Sequence, residues 1–399
     1  MINTATISEA FEFVRNGASI KQQDGASGIP ITRIETIWNA TIDQDRFGYA
    51  NIEDIGEHKN HLLKEGDILM SHINSPKHLG KCAIFKSKPV TLIHGMNLLN
   101  LRPKKNVLEP HFAFYYLSSN GFRESITKIS NQSVNQASFS TTSLKKLQIP
   151  LPPLAEQQKI AAILDAADSL RQKDQQLVER YTALSQSLFL EMFGDPETNS
   201  KGMDEKPFSE VLNLITYGLT VRPEYIESGI PLISAREIRT GKINFETAPK
   251  ISKFDFEKLS DKAKPTNNDI LFSKTGSIGH CALVQTKLDF AISQNAARLS
   301  FNNTVKPVYA LNYLKTTYIQ QLSQSRAKGN AVKDLQLGDM KKFKFIVPPI
   351  TLQNQFTEII QLIEAQKQQA QLSLAKSEAL FNSLLQCAFT GELTAKMAA

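Results

Sequence analysis

"IPLPPLAEQQKIAAILDAADSL", Ile149 to Leu170, sets three prolines ahead of a long helical pattern, and "IVPPITLQNQFTEIIQLIEA", Ile346 to Ala365, does nearly the same. Aligning Pro152-Pro153 on Pro348-Pro349 gives an offset of 196. The offset holds without a gap from Leu144 and Met340, through Leu184 and Leu380, to Phe193 and Phe389. Proline continues neither a strand ladder nor a helix interior, so both stretches read as stiff elbows joining a globular part to a rod. Weaker likenesses recur upstream in the same order. "GDILMS" from Gly66 matches "NDILFS" from Asn268, "GKCA" from Gly80 matches "GHCA" from Gly279, and "GIPITRIETI" from Gly28 matches "GIPLISAREI" from Gly229. The chain is therefore written twice: globular unit, helix, globular unit, helix.

The spacing predicts helices over Leu154 to Phe193 and Ile350 to Phe389, each about 60 Å long at 1.5 Å per residue. In the first, Ile163, Leu170, Leu177 and Leu184 fall seven apart, and Ile160, Ala167, Asp174, Tyr181 and Leu188 form a second row beside them. A sustained heptad is a coiled-coil seam, here stopped by Gly194 and Pro196. In the second helix Gln366, Lys367, Gln368 and Gln369 interrupt the row. The grip is expected at its ends, through Phe356, Ile359, Ile360 and Ile363, and through Leu380, Phe381, Leu384 and Leu385. The predicted fold class is α+β: two similar globular domains separated by two long helices that form an antiparallel coiled coil, an internal repeat with pseudo-twofold symmetry. The boundaries read as 1–143, 144–198, 199–338 and 339–399. In the globular parts "EGDILMSHI", "KCAIFK", "KPVTLIHG", "NDILFSK", "CALVQT" and "KKFKFIV" have strand composition. "HFAFYYLSSNGFRESI" and "VYALNYLKTTYIQQL" have helical spacing that begins near a proline.

With 399 residues the chain exceeds what one hydrophobic core serves. Its 41% apolar and 21% charged residues suit a folded protein, and no apolar run reaches the roughly 20 residues that span a bilayer. The N-terminal stretch has no basic leader, which predicts a cytoplasmic protein without a membrane association. Cys82, Cys281 and Cys387 lie far apart and are expected to be buried free thiols; no metal-ligand spacing occurs. The net charge is +7, and the two globular segments together carry +8. That location points to a polyanion, nucleic acid above all.

The elbow and helix "IPLPPLAEQQKIAAILDAAD", its closing "FGDP", and "VPPITLQNQF" with "SLLQCAFTGEL" resemble the two spacer regions of the DNA specificity subunit of type I restriction-modification enzymes. "GDILMSHINSPKHLGKCAIF" and "NDILFSKTGSIGHCALV" resemble the cores of that family's target recognition domains. The resemblance covers essentially the whole chain. It implies that each domain binds one half of a bipartite double-stranded DNA site and that the helical pair acts as a ruler between the halves. It also implies docking of two modification subunits, which hold S-adenosylmethionine and methylate adenine, and recruitment of restriction subunits that cleave. This chain is then no enzyme and binds no cofactor itself.

The residues agree with a reader rather than a catalyst. There is no GxxxxGK[ST] loop, and leucine and valine stand where an amino-methyltransferase has Asn or Asp before Pro-Pro. Reading DNA needs cations and amides for phosphates, and planar side chains for base edges. In the first domain "SHINSPKHLGK" offers His72, Asn74, Lys77, His78 and Lys81, and "NQSVNQ" offers Asn131, Gln132, Asn135 and Gln136. In the second, "SKTGSIGH" offers Lys274, Thr275, Ser277 and His280, and "SQSRAKGNAVK" offers Gln324, Arg326, Lys328, Asn330 and Lys333. Arg33, Arg236 and Arg239 lie on the "GIP" segments. The Gly276/Gly279 step reads either as a phosphate-gripping loop or as a plain strand-connecting turn. The rival reading from another class is a coiled-coil scaffold whose end domains bind a ligand other than DNA.

Overall fold

The computed structural model describes residues 3–86, 91–221, 223–390 and 393. Two compact units emerge: residues 1–175 with 372–399, and residues 176–371. The division cuts both long helices, Leu154–Phe193 and Ile350–Thr390, so each unit holds one globular domain, the start of one helix and the end of the other.

In the first unit a four-stranded antiparallel sheet runs in the order Phe11–Asn16, Leu98–Pro103, Ile68–Ser71, Cys82–Ile84. Met70 opposes Leu99 on one neighbour and Cys82 on the other, and all three are buried. The alternating strand pattern puts Ile68, Met70, Leu99 and Leu101 on one side, in a core shared with helices Pro110–Ser118 and Asn120–Ile129. These are two helices where the sequence reads as one. Ser119 has extended backbone, and its hydroxyl accepts the Phe122 N–H to cap the second. In the second unit the order is Leu212–Tyr217, Ala296–Phe301, Ile270–Ser273, Cys281–Leu283, followed by helices Pro307–Leu314 and Thr317–Arg326. The repeat is thus a repeat of topology. Of "KPVTLIHG", Lys88 to Val90 lie outside the described residues, and Ile93 makes only isolated bridges.

Each domain extends past its predicted end. Gln148–Pro150 pairs with Thr4–Thr6, and Lys344–Ile346 with Glu205–Pro207. The boundaries at 143 and 338 therefore fall inside the domains, because the strand before each elbow ties down the strand that opens the domain. A buried ion pair under each sheet repeats as well. Arg102 holds Asp67 through two bonds of 2.7 and 2.6 Å, and Arg298 lies 2.7 Å from Asp269.

The buried stripe of the first long helix is Gln157, Ile160, Leu164, Ala167, Arg171, Asp174, Val178, Tyr181, Ser185, Leu188 and Met192, each buried or half-buried. Adding 196 gives the stripe of the second: Gln353, Phe356, Ile360, Ile363, Lys367, Ala370, Leu374, Ser377, Phe381, Leu384 and Ala388. Both keep the 3–4 spacing of a heptad seam. Of the expected seam residues, Ile160, Leu188, Phe356, Ile363 and Leu384 lie on the stripe, and Ile163 is half-buried beside it. Leu170, Leu177, Leu184, Ile359 and Leu380 do not: they are 40 to 49% exposed. Each leucine of the first row sits one residue before a stripe position, and one residue turns a helix by about 100°. The buried row mixes apolar, small and polar side chains, and the leucine row lies on its shoulder. The glutamine run lies mostly outside, since Gln366, Gln368 and Gln369 are exposed. Polar residues in mid-seam belong to both helices.

Within the first unit the two helix segments run antiparallel. Ser373 donates to Asp174 at 3.1 Å, and Ala388 shares a core with Ile160, Ala161 and Leu164. Phe389 packs edge-on to Phe112 and Tyr116, with centroids at 5.4 and 5.2 Å. Within the second unit Phe193 takes the corresponding place, 4.7 Å from Tyr309 and 5.1 Å from Phe356. Each domain therefore completes its core with the end of the helix that started from the other repeat.

Candidate nucleic-acid interface

In each unit the same two chain segments meet beside the sheet. The first is the loop after the second core strand; the second is the hairpin after the second domain helix. In the first unit Ile73–Asn74 pairs with Ala137–Ser138, which pairs with Asn131–Gln132. The Phe139 N–H donates to the His72 carbonyl at 3.2 Å. The hairpin tip closes through Ser133, whose N–H and hydroxyl both donate to the Gln136 carbonyl. Asn131, Gln132, Asn135 and Gln136 are exposed along it, and Val134 at the tip is 95% exposed. Polar ends free of competing packing are what base-edge reading requires.

In the second unit the loop and hairpin are stitched by bridges between Thr275 and Asp334 and between Lys328 and Asp334. Gly276 N–H donates to the Lys333 carbonyl, and Leu335 N–H to the Lys274 carbonyl. Arg239 reaches across from the "GIP" segment to donate to Ser277 Oγ at 3.3 Å, and its charge, after burial, holds the His280 imidazole below its ordinary value. Arg239, Ser277 and His280 thus stand together. Arg326 and Gln324 are exposed on the last turn of Thr317–Arg326, which leads into the hairpin where Asn330 and Lys333 are exposed. Lys328 makes a loose 3.6 Å pair with Asp339.

Two candidates turn inward. His72 is buried against Phe139, and burial lowers its pKa, so it is a neutral packing residue. Lys274, its counterpart, is buried and paired with Asp334, which also accepts from Thr275. Burial opposes ionisation of Asp334, but these hydrogen bonds prevail and lower its pKa. Lys274 and Thr275 therefore spend their polar groups on holding the loop, and the Lys274 charge is already paired. Arg33 is half-buried, with its guanidinium on Gln22. Arg236 is exposed after Ile230–Ile233. The Gly276/Gly279 step is a turn between two core strands, and a Cβ on Gly279 would lie 2.0 Å from Gln320 Oε1. Lys77, His78 and Lys81 remain half-buried or exposed on the first loop, joined by Arg123 from the neighbouring helix. Arg123 went unnoticed in the sequence because its stretch reads as a core-facing helix; the polar face of that helix was the available signal.

Cys82 and Cys281 are buried thiols pushed up to about 12 by desolvation, which makes them inert. Cys387 is half-buried.

The model for the type I restriction modification DNA specificity domain matches residues 2–180 and 202–373, one copy on each repeat. The chain belongs to that family. The putative MjaX specificity subunit of Methanocaldococcus jannaschii is 30% identical over 98% of this chain and 93% of that protein. The EcoBI specificity subunit of Escherichia coli is 27% identical over 71% of this chain and 66% of that one. The type I restriction-modification S subunit of M. genitalium superposes with a TM-score of 0.60 at 17% identity, covering 97% of this chain and 96% of the other, and shares the fold. The chain is a type I specificity subunit with two recognition domains, the non-catalytic component of such a system. Among the described residues no helix is long and apolar enough to cross a membrane.

Proposed function

We propose that each unit presents its loop and hairpin to one half of a bipartite duplex site, and that the long helices set the distance between halves. The observation that carries this reading is the repeated construction: two dissimilar loop sequences are held in each unit by the same pairing of chain segments. A scaffold for one ligand has no need of two different readers. The helices then dock two modification subunits that hold S-adenosylmethionine and methylate adenine. Restriction subunits join the assembly in the cytoplasm to cleave unmodified DNA. The exposed leucine shoulder is consistent with surface covered by partners. Half-sites are expected about one helical turn, roughly 34 Å, apart.

Two measurements test the proposal. Gel shifts in rising salt should show a linear, steep loss of affinity; a flat response sinks DNA as the ligand. Inserting seven residues into both long helices should lengthen the spacer of the methylated site found by mapping modified adenines. An unchanged spacer refutes the ruler.

A further inference from the structure

In the first unit a cluster of cations gathers on the loop after the second core strand. The short helical turn Pro76–His78 presents Lys77 and His78, and the chain then reverses at Gly80, whose φ is +73°. A Cβ there would lie 3.3 Å from Ile126, so the loop is seated directly on the helix Asn120–Ile129. That seat brings Lys81 beside Arg123, and both line one groove of about 1,410 Å³. Burial lowers the pKa of His78 and of Lys81, and the charges of Lys77 and Arg123 lower both further. Among the described residues no carboxylate pairs with Lys77, Lys81 or Arg123 within 4.0 Å. Asp165 and Asp168 line the same groove but are taken by His111 and Tyr115 and by Arg171 and Gln172, so Lys77, Lys81 and Arg123 are held ready for an external anion, with His78 neutral beside them.

The second unit builds the corresponding loop differently, with Arg239 from the "GIP" segment as the charged neighbour of His280. Its loop lacks the Pro-Lys-His turn, His280 stands for Lys81, and Gln320 stands for Arg123. Gln320 donates to the Gly279 and Leu314 carbonyls at 2.8 and 2.7 Å, doing locally what needs no ligand.

We propose that Lys77, Lys81 and Arg123, with His78 beside them, form a phosphate clamp on the DNA backbone at the first half-site. The inference rests on the DNA-reading function proposed above and assigns these residues to holding rather than reading. Lys81 and Arg123 reach one groove from two different elements, and such a convergence of charges suits a phosphate.

The test uses the full chain with its modification subunits, and duplexes carrying either the mapped site or a scrambled one. Arg123→Gln imports the residue of the second unit. It should lower the slope of log affinity against log salt by about 1, the value for one lost phosphate contact, and weaken both duplexes alike. Arg123→Lys should restore the slope. Lys77→Gln, on an exposed side chain, gives an independent reading that does not depend on the helix. A wild-type slope that is steep but unmoved by Arg123→Gln and Lys77→Gln overturns the clamp while leaving DNA binding intact. Loss confined to the mapped site also overturns it, making Arg123 a base reader. A wild type with no salt-dependent binding defeats the proposed function itself.

Discussion

Gln353 makes in the second unit the three hydrogen bonds that Gln157 makes in the first. Gln157 accepts the Glu109 N–H at 2.9 Å and donates to the Val107 and Pro152 carbonyls at 3.0 and 2.8 Å. Gln353 accepts the Lys306 N–H at 2.8 Å and donates to Thr304 and Pro348 at 3.0 and 2.8 Å. Both amides are buried. Each ties the first turn of a long helix to its own elbow and to the loop that opens a domain helix, so the angle between domain and rod is held by hydrogen bonds as well as by proline.

Replacing Gln157 with Ala should cost about 2 kcal/mol, because it leaves the Glu109 N–H and two carbonyls without partners. The loss should be confined to the first unit, and Gln353→Ala should mirror it in the second. Hydrogen exchange resolved by peptide checks this. Equal loss of protection in both units would contradict the latch.

Phe193 is fully buried, and its replacement by Ala should cost about 3 to 5 kcal/mol. The damage should appear at Tyr309 and Phe356 in the second unit, although Phe193 follows the first domain in sequence. Phe389→Ala should likewise loosen the first unit around Phe112 and Tyr116, by less because Phe389 is only half-buried. Exchange rates that rise on the sequence-adjacent domain instead would rule out the exchanged helix ends.

Removing Lys274 alone should cost about 1 to 3 kcal/mol locally, because Asp334 loses the cation that keeps it ionised. The pair Lys274→Met with Asp334→Leu should recover most of that. Since the charge of Lys274 is already neutralised, Lys274→Met should leave the salt slope of DNA binding unchanged, whereas Lys333→Gln should lower it by about 1. A shallower slope for Lys274→Met would return that residue to the phosphate contacts.

The first unit should be most stable near neutral pH. His94 is buried with Nε2 on the Leu98 carbonyl, and desolvation lowers its pKa from 6.5 to about 4. The unfolded chain therefore binds a proton that the folded chain refuses. The stability His94 provides is complete above pH 6.5 and falls by about 3 kcal/mol towards pH 4. His61 and His72, lowered by burial, add to that acid limb. His111 runs the other way: its 2.8 Å bond to Asp165 raises its pKa above 6.5, so its contribution is present below 6.5 and lost as pH rises through the raised value. Both partners are about a third exposed, and screening holds this term under about 1 kcal/mol. His111→Gln should flatten the alkaline side of a melting-temperature profile and leave the acid side. An alkaline limb that survives the substitution would assign it elsewhere.

Patterns with a local cause were legible in the sequence. The prolines, the heptad spacing and the 196-residue offset follow from backbone chemistry and helix period, and they located both long helices to within a residue. The candidate loops were found through residue type, and most of them do lie on the surface. Lys274 was misread because type cannot tell a cation that is free from one already paired, and Asp334 lies 60 residues beyond it; His72 was misread because type cannot tell a buried imidazole from an exposed one. Arg123 was missed for the converse reason, since only the contact of Gly80 with Ile126 brings its helix to the loop.

By itself, then, the sequence determined two repeats, their order, and rods of equal length, since these depend on interactions between near neighbours. The tertiary structure decided which helical row is buried, which repeat each helix end completes, and which loop cations stay unpaired. Those outcomes depend on packing and charge pairing between residues distant in the chain, where one position along a helix, or one acid across a loop, reverses the answer.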